Sequence, residues 1–370
     1  RQRQMCIRDR PLIIYFQYEA PAFSFLANVA AVPLATCAFT LAFLLIFLPY
    51  TVFHEAISWM IQGVLWISRQ SYGMLTIGHV PFLWVLLFYF MTGLWIWKKN
   101  GQNRHIRISL AYVIMIILIW IPMARRKSLA FLDVGQGDCF VADTKSGAII
   151  FDGGSSSEDQ VGRYRILPYM KYLGYQKIQI AVISHMDIDH YSGIKELLEM
   201  GKIKYLGLPE IPKDETMKKI IGIAKKRGTT IFYLSRGRQI TTKDGSLKVL
   251  HPQKNSQMEK NAASLVMQGK ILGYRVLLTG DVEKEGEEEL LSEELERADI
   301  LKAAHHGSKN STSNEFLQKV QPKQTVISCG KQNRYGHPHL ETIHRLQTYR
   351  TKIYRTDRSG AIIFFKRRDG

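Results

Sequence analysis

The chain has 370 residues, which is enough for two or three domains, and 46% of them are hydrophobic. Its 50 Lys and Arg residues against 32 Asp and Glu residues give a formal charge of +18. Such a balance favours a polyanionic partner, either nucleic acid or anionic lipid headgroups. The four cysteines form no C-x-x-C pair, which argues against a thiolate zinc site. A disulfide between Cys139 and Cys329 and two buried free thiols both stay open.

The first ten residues, 1–10, are charged and run directly into an apolar region. They contain no signal-peptide core, and the chain does not begin with a methionine. We therefore interpret the chain as a fragment of a longer protein. Residues 1–10 are treated as a start that need not be native.

Residues 11–127 are predicted to form a membrane domain, because they contain three long apolar stretches. A membrane-spanning helix needs roughly 20 predominantly apolar residues. We expect spans near 22–50, 80–97 and 108–123. The residues around 55–70 mix apolar and polar side chains, which favours an amphipathic helix at the membrane interface.

The orientation of these spans is weakly determined, since basic residues flank both ends of the third. The positive-inside rule gives a slight preference for a cytoplasmic loop before this span, which would place the chain after residue 128 outside the cell. The loop carries Lys98, Lys99, Arg104 and Arg107, and the stretch after the span carries Arg125, Arg126 and Lys127.

From residue 128 the composition changes to that of a soluble α/β domain. Short apolar runs that are typical of strands come in two series, with helix-like segments between them. This order predicts a sandwich of two sheets flanked by helices over 128–370.

One stretch of this domain concentrates residue types that bind metals. His185, Asp187, Asp189 and His190 fall within six residues, directly after an apolar run, 178–183, that is typical of a buried strand. Strand ends are the usual place for chemistry in α/β folds. The alternative, a surface loop that carries these side chains as solvated charge, does not account for their density.

Three later segments also place an Asp or a His just after an apolar, β-like run. A fold collects metal ligands from several strand ends in this way. The segments are 278–281 with Asp281, 302–308 with His305 and His306, and 333–338 with His337.

These side chains predict a site for two adjacent divalent ions. Asp and neutral His bind hard or borderline metals, and a carboxylate-rich site leans toward Mn²⁺ over Zn²⁺. Asp281, which arrives from a distant strand, is the natural bridging carboxylate. Two ions roughly 3.5–4 Å apart can stabilise both the attacking and the leaving oxygen of a displacement at phosphorus.

The motif His185-Met-Asp187-Ile-Asp189-His190 resembles the H-x-H-x-D-H signature of the metallo-β-lactamase superfamily. Asp187 stands where the common signature has His, and this H-x-D-x-D-H variant is the normal form in the ComEC family of DNA-uptake proteins. The other segments that resemble these families are Asp133-Val-Gly-Gln-Gly-Asp138, Asp152-Gly-Gly, Thr279-Gly-Asp281, Lys302 before His305-His306-Gly-Ser, and Asn333-Arg-Tyr-Gly-His337-Pro.

The resemblance covers nearly the whole chain. It implies a metallo-β-lactamase-like αββα sandwich over 128–370, preceded by transmembrane α-helices that form the end of the family's membrane competence domain. It implies two divalent ions, Mn²⁺ or Zn²⁺, as cofactors. We expect His185 and Asp187 to hold one ion and Asp189 and His190 to hold the second, with Asp281 bridging them.

The remaining site residues are assigned less directly. Neighbours on a strand point to opposite faces, so only one of His305 and His306 need be a ligand. The catalytic candidates are Asp189, Lys302, which would meet a phosphate, and His337, which would protonate a leaving oxygen or contact phosphate. A surface lysine and a structural turn histidine are the alternatives for the last two.

Three further residues receive secondary roles. Asp133 is expected to orient a ligating histidine from behind. Asp152 is expected to fix the turn before Gly153. His251, which stands at a strand end before a proline, is not expected to be a ligand.

The resemblance also implies a function and a place in the cell. The protein would be a multi-pass channel protein of the bacterial cell membrane that serves natural transformation. Its soluble domain, on the outer side, would be a nuclease that hydrolyses the non-transported DNA strand. The expected partners are single-stranded DNA bound without sequence preference, the membrane and other competence proteins, and formation of a homo-oligomer stays open.

Basic residues that could follow the DNA backbone are Lys225, Lys226, Arg227, Arg236 and Arg238. Two other classes of function remain. One is a DNA-binding module without turnover. The other is a membrane-anchored hydrolase that acts on a lipid or cell-wall phosphodiester, or on a lactam.

Overall fold

The computed structural model describes residues 12–21, 24–47, 51–69, 73–97, 109–110 and 126–367. The chain divides into two compact units, Arg1–Met123 and Ala124–Gly370. The division lies next to residue 128, where the composition of the sequence changes.

The described part of the first unit is mostly helical. Its helices are α1 (12–17), α2 (Ser24–Leu44), α3 (Thr51–Arg69) and α4 (Phe82–Trp97). Two short strands, β1 (Glu19–Pro21) and β2 (Met74–Thr76), pair in antiparallel fashion.

The predicted membrane segments correspond to these helices in part. The segments 22–50 and 80–97 overlap α2 and α4, and 55–70 overlaps α3. The third predicted span, 108–123, lies outside the described residues except for 109–110. Within the described part of the chain, none of the helices combines the length and the apolar character that crossing a bilayer requires.

The second unit contains two seven-stranded sheets. In chain order the strands are β3 (Ser128–Phe131), β4 (Phe140–Thr144), β5 (Gly147–Phe151), β6 (Ile178–Val182), β7 (Ile203–Pro209), β8 (Thr230–Leu234), β9 (Gln239–Thr242), β10 (Gly245–His251), β11 (Val266–Ile271), β12 (Tyr274–Leu278), β13 (Ile300–Lys302), β14 (Gln324–Ile327), β15 (Lys352–Arg355) and β16 (Ile362–Phe365). The strand orders are β16-β3-β4-β5-β6-β7-β8 and β15-β14-β13-β12-β11-β10-β9.

Helices connect the parallel strands of both sheets, and the last helix joins β15 to β16, which lie in different sheets. They are α5 (Leu167–Tyr172), α6 (Ile188–Glu199), α7 (Glu215–Lys226), α8 (Lys284–Leu291), α9 (Asn314–Val320), α10 (Leu340–Thr348) and α11 (Thr356–Ser359). A short π-helix, Gly162–Ile166, precedes α5, and a 3₁₀ turn, Ala304–Gly307, follows β13.

Helix α7 illustrates how the sequence specifies these elements. The Asp214 carboxylate caps its first turn by accepting the N–H of Met217 at 2.7 Å. Met217, Ile220 and Ala224 are buried along one side, at the spacing of a helix that packs on a sheet.

Three hydrophobic cores hold the layers together. The central core joins the inner faces of the sheets, with Phe131 from one and Met267 from the other. Leu197 of α6 belongs to a second core, against the first sheet, and Phe316 of α9 to a third, against the second sheet. Helix, sheet, sheet and helix therefore lie in layers, which confirms the predicted αββα sandwich.

The ends of parallel strands set the position of the site. Strands β5 and β6 run parallel and end just before Asp152 and His185, respectively. In the other sheet, β12 and β13 also run parallel, and they end just before Asp281 and His305. The carboxyl ends of parallel strands lie at the same edge of a sheet. Each sheet therefore places polar side chains at that edge, and both sheets contribute to the site.

Candidate metal centre

His185, Asp187 and His190 lie where β6 passes into α6. His185 is 1% exposed, His190 is fully buried, and their ring centroids are 4.1 Å apart. Asp187 is the N-cap residue of α6, with an extended backbone, and its Oδ2 lies 3.6 Å from His185 Nε2. The tight turn from strand to helix thus places the side chains of His185, Asp187 and His190 next to one another.

Asp152 holds the ring of His190. Its Oδ2 accepts a hydrogen bond from His190 Nδ1 at 3.0 Å, and its Oδ1 accepts the N–H of Ser184 at 2.7 Å. A histidine whose Nδ1–H points at a carboxylate presents Nε2 to a metal. The orienting role predicted for Asp133 was wrong, because the Asp133 carboxylate instead accepts the N–H of Gly135 at 3.2 Å.

His305 and His306 occupy the 3₁₀ turn rather than a strand, with φ angles of 46° and 53°. The alternation of side chains expected for strand neighbours therefore does not apply. His306 Nδ1 donates to the backbone oxygen of Ser328 at 2.9 Å, and His305 Nδ1 donates to Glu283 Oε1 at 2.7 Å. Both rings consequently direct Nε2 toward Asp281.

Asp281 lies at the centre of this group. Its Oδ2 is 3.2 Å from His190 Nε2, 3.4 Å from His306 Nε2 and 3.8 Å from His305 Nε2. Asp189 approaches from the other side, with Oδ2 3.4 Å from His306 Nε2. The seven predicted metal ligands thus lie in one cluster.

The residues present fit a divalent metal. Among the described residues, the buried Nε2 atoms of His185, His190 and His306 have no hydrogen-bond partner. A buried polar atom without a partner is costly, and bound metal ions would satisfy these three atoms. Ligand atoms of Asp138, His190, Asp281 and His306 all lie within 4.8 Å of one another.

Asp138 is a member of this cluster that the sequence analysis did not assign. Its carboxylate forms a close ion pair with Lys302, and its Oδ1 lies 3.4 Å from His306 Nδ1. The signal was present in the sequence, because Asp138 ends a glycine-rich turn that directly follows β3. The criterion that selected Asp281, an acidic residue after an apolar run, would have found it.

Lys302 is buried and is not a surface lysine. Its Nζ donates to the backbone oxygen of Gly280 at 2.8 Å, pairs with Asp138, and lies 3.5 Å from Asp281 Oδ1. A lysine ammonium has three donors, and these partners engage them. In this arrangement Lys302 positions the two carboxylates.

The acidic and basic groups of the cluster shift the pKa values of one another toward the charged forms. Burial raises the pKa of the Asp281 carboxyl, but His190, His306 and Lys302 outweigh it, and the pKa falls well below its usual value. For His190 and His306, burial lowers the pKa, but the surrounding carboxylates raise it well above the usual value. Without a metal, the centre is therefore a buried network of imidazolium and carboxylate groups.

Asp189 and His337 differ in their electrostatics. Burial raises the pKa of Asp189, but its contact with His306 outweighs this and lowers the pKa to about 2. Burial and the charges of His306 and His305 lower the pKa of His337 to about 4. The His337 ring, whose centroid is 5.4 Å from that of His305, is thus neutral at pH 7, which argues against its predicted role as a proton donor to a leaving oxygen.

Three other residues lie apart from the cluster. His251 is buried, but its Nε2 donates to the backbone oxygen of Ala262 at 2.7 Å, which agrees with its exclusion as a ligand. Cys139 and Cys329 are buried free thiols, so the disulfide left open by the sequence is not formed.

Comparison with known proteins gives consistent results. The sequence profile described as "Metallo-beta-lactamase superfamily" matches residues 132–331. The chain is 34% identical to ComE operon protein 3 of Bacillus subtilis (strain 168), over 74% of this chain and 38% of that protein. It is 30% identical to Competence protein ComA of Neisseria gonorrhoeae, over 64% of this chain and 32% of that protein.

Among solved structures, the metallo-beta-lactamase fold protein YhfI from Bacillus subtilis matches with a TM-score of 0.45 and 12% identity, over 64% of this chain and 99% of that chain. The chain spans about a third of the length of the two competence relatives, at 38% and 32%. The matched profile is that of a metal-binding superfamily, which agrees with the cluster of His and Asp side chains described above. The names of the two relatives agree with the family that this motif resembles. The chain therefore belongs to the metallo-beta-lactamase superfamily and, within it, to the ComEC family of competence proteins.

Proposed function

We propose that the second unit is a metal-dependent phosphodiesterase that hydrolyses DNA. The observation that carries this proposal is the convergence of three buried, unpartnered Nε2 atoms, those of His185, His190 and His306, on carboxylates from both sheets. Such a donor set suits divalent metals and has no evident role in packing. The basic excess of the chain, +18, favours a polyanionic substrate.

The residues divide into those that would hold metal and those that would support them. His185 with Asp187, and Asp189 with His190, would each contribute to one ion, and Asp281 would be shared between the two. His305 and His306 would complete the set. When bound, two divalent ions supply the charge that stabilises the attacking and leaving oxygens of a displacement at phosphorus.

Other residues orient the metal ligands or form hydrogen bonds with the substrate. Asp152 holds His190, and Glu283 holds His305, so that each ring keeps its ligand atom directed inward. Lys302 fixes the Asp281 and Asp138 carboxylates. His337, neutral at pH 7, would donate its ring N–H to a phosphate oxygen.

The cellular role follows from the family. We place the chain in a membrane protein of DNA uptake, in which this unit lies outside the cell and degrades the strand that is not transported. The names of the relatives support competence as the process. Binding would be independent of base sequence, because no base-reading motif accompanies the basic residues.

The test is a cleavage assay on the purified 370-residue chain. It is freed of metal with a chelator and then incubated with single- and double-stranded DNA, with Mn²⁺, with Zn²⁺ and with neither. We expect cleavage of DNA that depends on metal. A chain that binds DNA but cleaves none with either metal would be a binding module. Hydrolysis of a simple phosphodiester, bis(p-nitrophenyl) phosphate, without cleavage of DNA would indicate a lipid or cell-wall substrate instead.

A further inference from the structure

A small cavity of about 150 Å³ lies directly beside the candidate metal centre. His185 of the centre and its neighbour Met186 form one side of it. Met217 of α7, Met258 of the loop before β11, and Lys260 contribute to the rest of it. The other lining residues are Ile211, Pro212, Asp214, Ser256 and Gln257. We refer to this space as the methionine cavity. It meets the metal centre at His185, and none of the roles assigned above uses it.

The size of the methionine cavity limits what it can hold. An apolar cavity of about 150 Å³ is known to accept benzene. A single six-membered ring therefore fits this volume, whereas a longer group would extend out of it.

The lining favours a flat aromatic ring over other small groups. Met186 and Met217 are buried, and Met258 is half-buried. Thioether sulfur makes favourable contacts with aromatic rings, and the unbranched side chain adapts to a ring of either orientation. Three methionines around one cavity are thus suited to a planar, unsaturated ligand.

Lys260 connects the methionine cavity to the open cleft in front of the metal centre. Its Nζ lies 3.8 Å from Asp187 Oδ1 and 3.6 Å from Asp214 Oδ2. The same lysine lines the cleft, together with Lys284 and with Glu283, which contacts His305. The other carboxylates of the cleft are those of Asp187, Glu259 and Glu285. A ligand whose anionic part lies in the cleft near Lys260 can therefore reach the methionine cavity with a neighbouring ring.

We propose that the methionine cavity receives one unpaired nucleobase of the strand whose phosphodiester lies at the metal centre, and that its volume favours a pyrimidine. This proposal rests on the proposed function for its substrate class. A base in a duplex is stacked and paired, so it cannot enter such a cavity without first being extruded. The cavity therefore selects single-stranded nucleic acid, without reading its sequence beyond the size of one base.

Binding can be tested without turnover. The full chain is labelled with ¹³C at the methionine methyl groups and studied by NMR in the presence of a chelator. It is titrated separately with thymidine 5′-monophosphate, deoxyadenosine 5′-monophosphate, deoxyribose 5-phosphate and octyl phosphate. Signals are assigned with the variants Met258→Ala and Met217→Leu. A nucleobase in the cavity shifts these methyl signals through its ring current.

We expect thymidine 5′-monophosphate to shift the signals of Met258 and Met217 and to bind about tenfold more tightly than deoxyribose 5-phosphate, which corresponds to about 1.4 kcal/mol. The purine nucleotide should bind more weakly than the pyrimidine. Methyl signals that stay unchanged with both nucleotides would overturn the proposal. So would equal shifts with deoxyribose 5-phosphate, or a response to octyl phosphate alone, which would assign the cavity to an alkyl chain. Equal binding of the two nucleotides would overturn the preference for a pyrimidine.

A pair of variants separates the cavity from its surroundings. Met258→Trp fills the cavity, whereas Gln253→Trp adds the same side chain at an exposed position of the same loop. We expect the first to weaken binding of thymidine 5′-monophosphate about tenfold and the second to leave it within about twofold. Equal effects of both would contradict the assignment. Because these measurements exclude metal, a failure of DNA cleavage concerns the proposed function and leaves this result unaffected.

Discussion

At the scale of single residues, Asp281 is the side chain on which the centre depends most. Its Oδ2 faces His190 and His306 at 3.2 and 3.4 Å, and Lys302 lies 3.5 Å from its Oδ1. We predict that Asp281→Ala abolishes metal-dependent hydrolysis. The reason is that the Asp281 carboxylate would be shared by both metal ions, so its loss disturbs both sites. Circular dichroism should show that the variant is folded.

The matched control for this variant is Asp159→Ala, which removes an exposed carboxylate outside the cluster. It should retain the activity of the original chain. Hydrolysis by the Asp281 variant within about tenfold of the original chain, measured at saturating metal, would argue against a shared ligand at this position.

The sequence predicts this group of side chains because each member follows a strand. His185 to His190 are contiguous and follow β6 of one sheet, whereas Asp281 and His306 follow strands of the other sheet. The strand ends of the two sheets together form the site. The partners that orient them were harder to predict. Glu283 reaches His305 across a turn, and Ser328 contributes only its backbone oxygen, which leaves no trace in the residue type.

The pKa values of the centre predict how its stability depends on pH without metal. The pKa values of His190 and His306 are raised on folding, so their stabilisation is complete below about pH 6.5 and is lost as the pH rises through the folded pKa. The pKa values of Asp281 and Asp138 are lowered on folding. Their stabilisation is present above about pH 3.9 and is lost as the pH falls through the folded pKa.

We therefore predict that metal raises the melting temperature more at pH 8 than at pH 6. Protons and metal compete for the same Nε2 atoms, so the bound protons oppose the metal at the lower pH. Thermal unfolding with chelator and with Mn²⁺, each at both pH values, measures the difference. A stabilisation by metal that does not change between the two pH values would contradict the ion-pair network described above.

At the scale of elements, helix α8 supports the segment that follows the two histidines. The buried Glu287 carboxylate accepts the backbone N–H groups of Thr312 and Ser313, the latter at 3.0 Å. We predict that Glu287→Ala lowers the free energy of unfolding by roughly 2–4 kcal/mol, since the buried N–H of Thr312 and the half-buried N–H of Ser313 lose their acceptor. Urea unfolding measures the change.

Glu288→Ala is the control for this prediction, because Glu288 lies next to Glu287 on α8 but is exposed. It should change the unfolding free energy by less than about 0.5 kcal/mol. Similar losses in the two variants would mean that helix propensity, rather than the buried contact, is responsible.

The sequence specifies the layered fold more fully than it specifies the turns. Alternating runs of strand and helix predict two sheets and their flanking helices, because burial of apolar faces leaves few other arrangements. The turn at His305 and His306 was not predicted, since two consecutive residues other than glycine rarely both have positive φ angles. Such a backbone is maintained by tertiary contacts, here those of Glu283 and Ser328, rather than by local preference.

At the scale of the whole molecule, the proposed role requires the second unit to lie outside the cell. We predict that a cysteine introduced at the exposed position 226, Lys226→Cys, reacts with a membrane-impermeant maleimide. The labelling is done on intact cells that produce the native protein with this one substitution. The parent protein without this cysteine is the control. Labelling only after permeabilisation would place the unit in the cytoplasm and exclude the degradation of an outer strand.

The charge of the molecule makes a prediction about its binding to DNA. Of the basic residues proposed to follow the DNA backbone, Arg236 is already engaged, because it pairs with Glu289 at 2.8 Å and Glu293 at 2.9 Å. Lys225 and Lys226 are exposed at the end of α7. We therefore expect these two lysines, rather than Arg236, to contact phosphates.

For single-stranded DNA, the logarithm of the affinity falls with the logarithm of the salt concentration, with a slope of about −0.7 for each phosphate neutralised. Four such contacts would lower the affinity about fiftyfold between about 50 and 200 mM salt. We predict a loss of this size for oligonucleotides of unrelated sequence, and a slope that is shallower by about 0.7 in Lys226→Gln. Fluorescence anisotropy measures both. An affinity that is unchanged over this range would show that the positive charge of the chain serves a different partner.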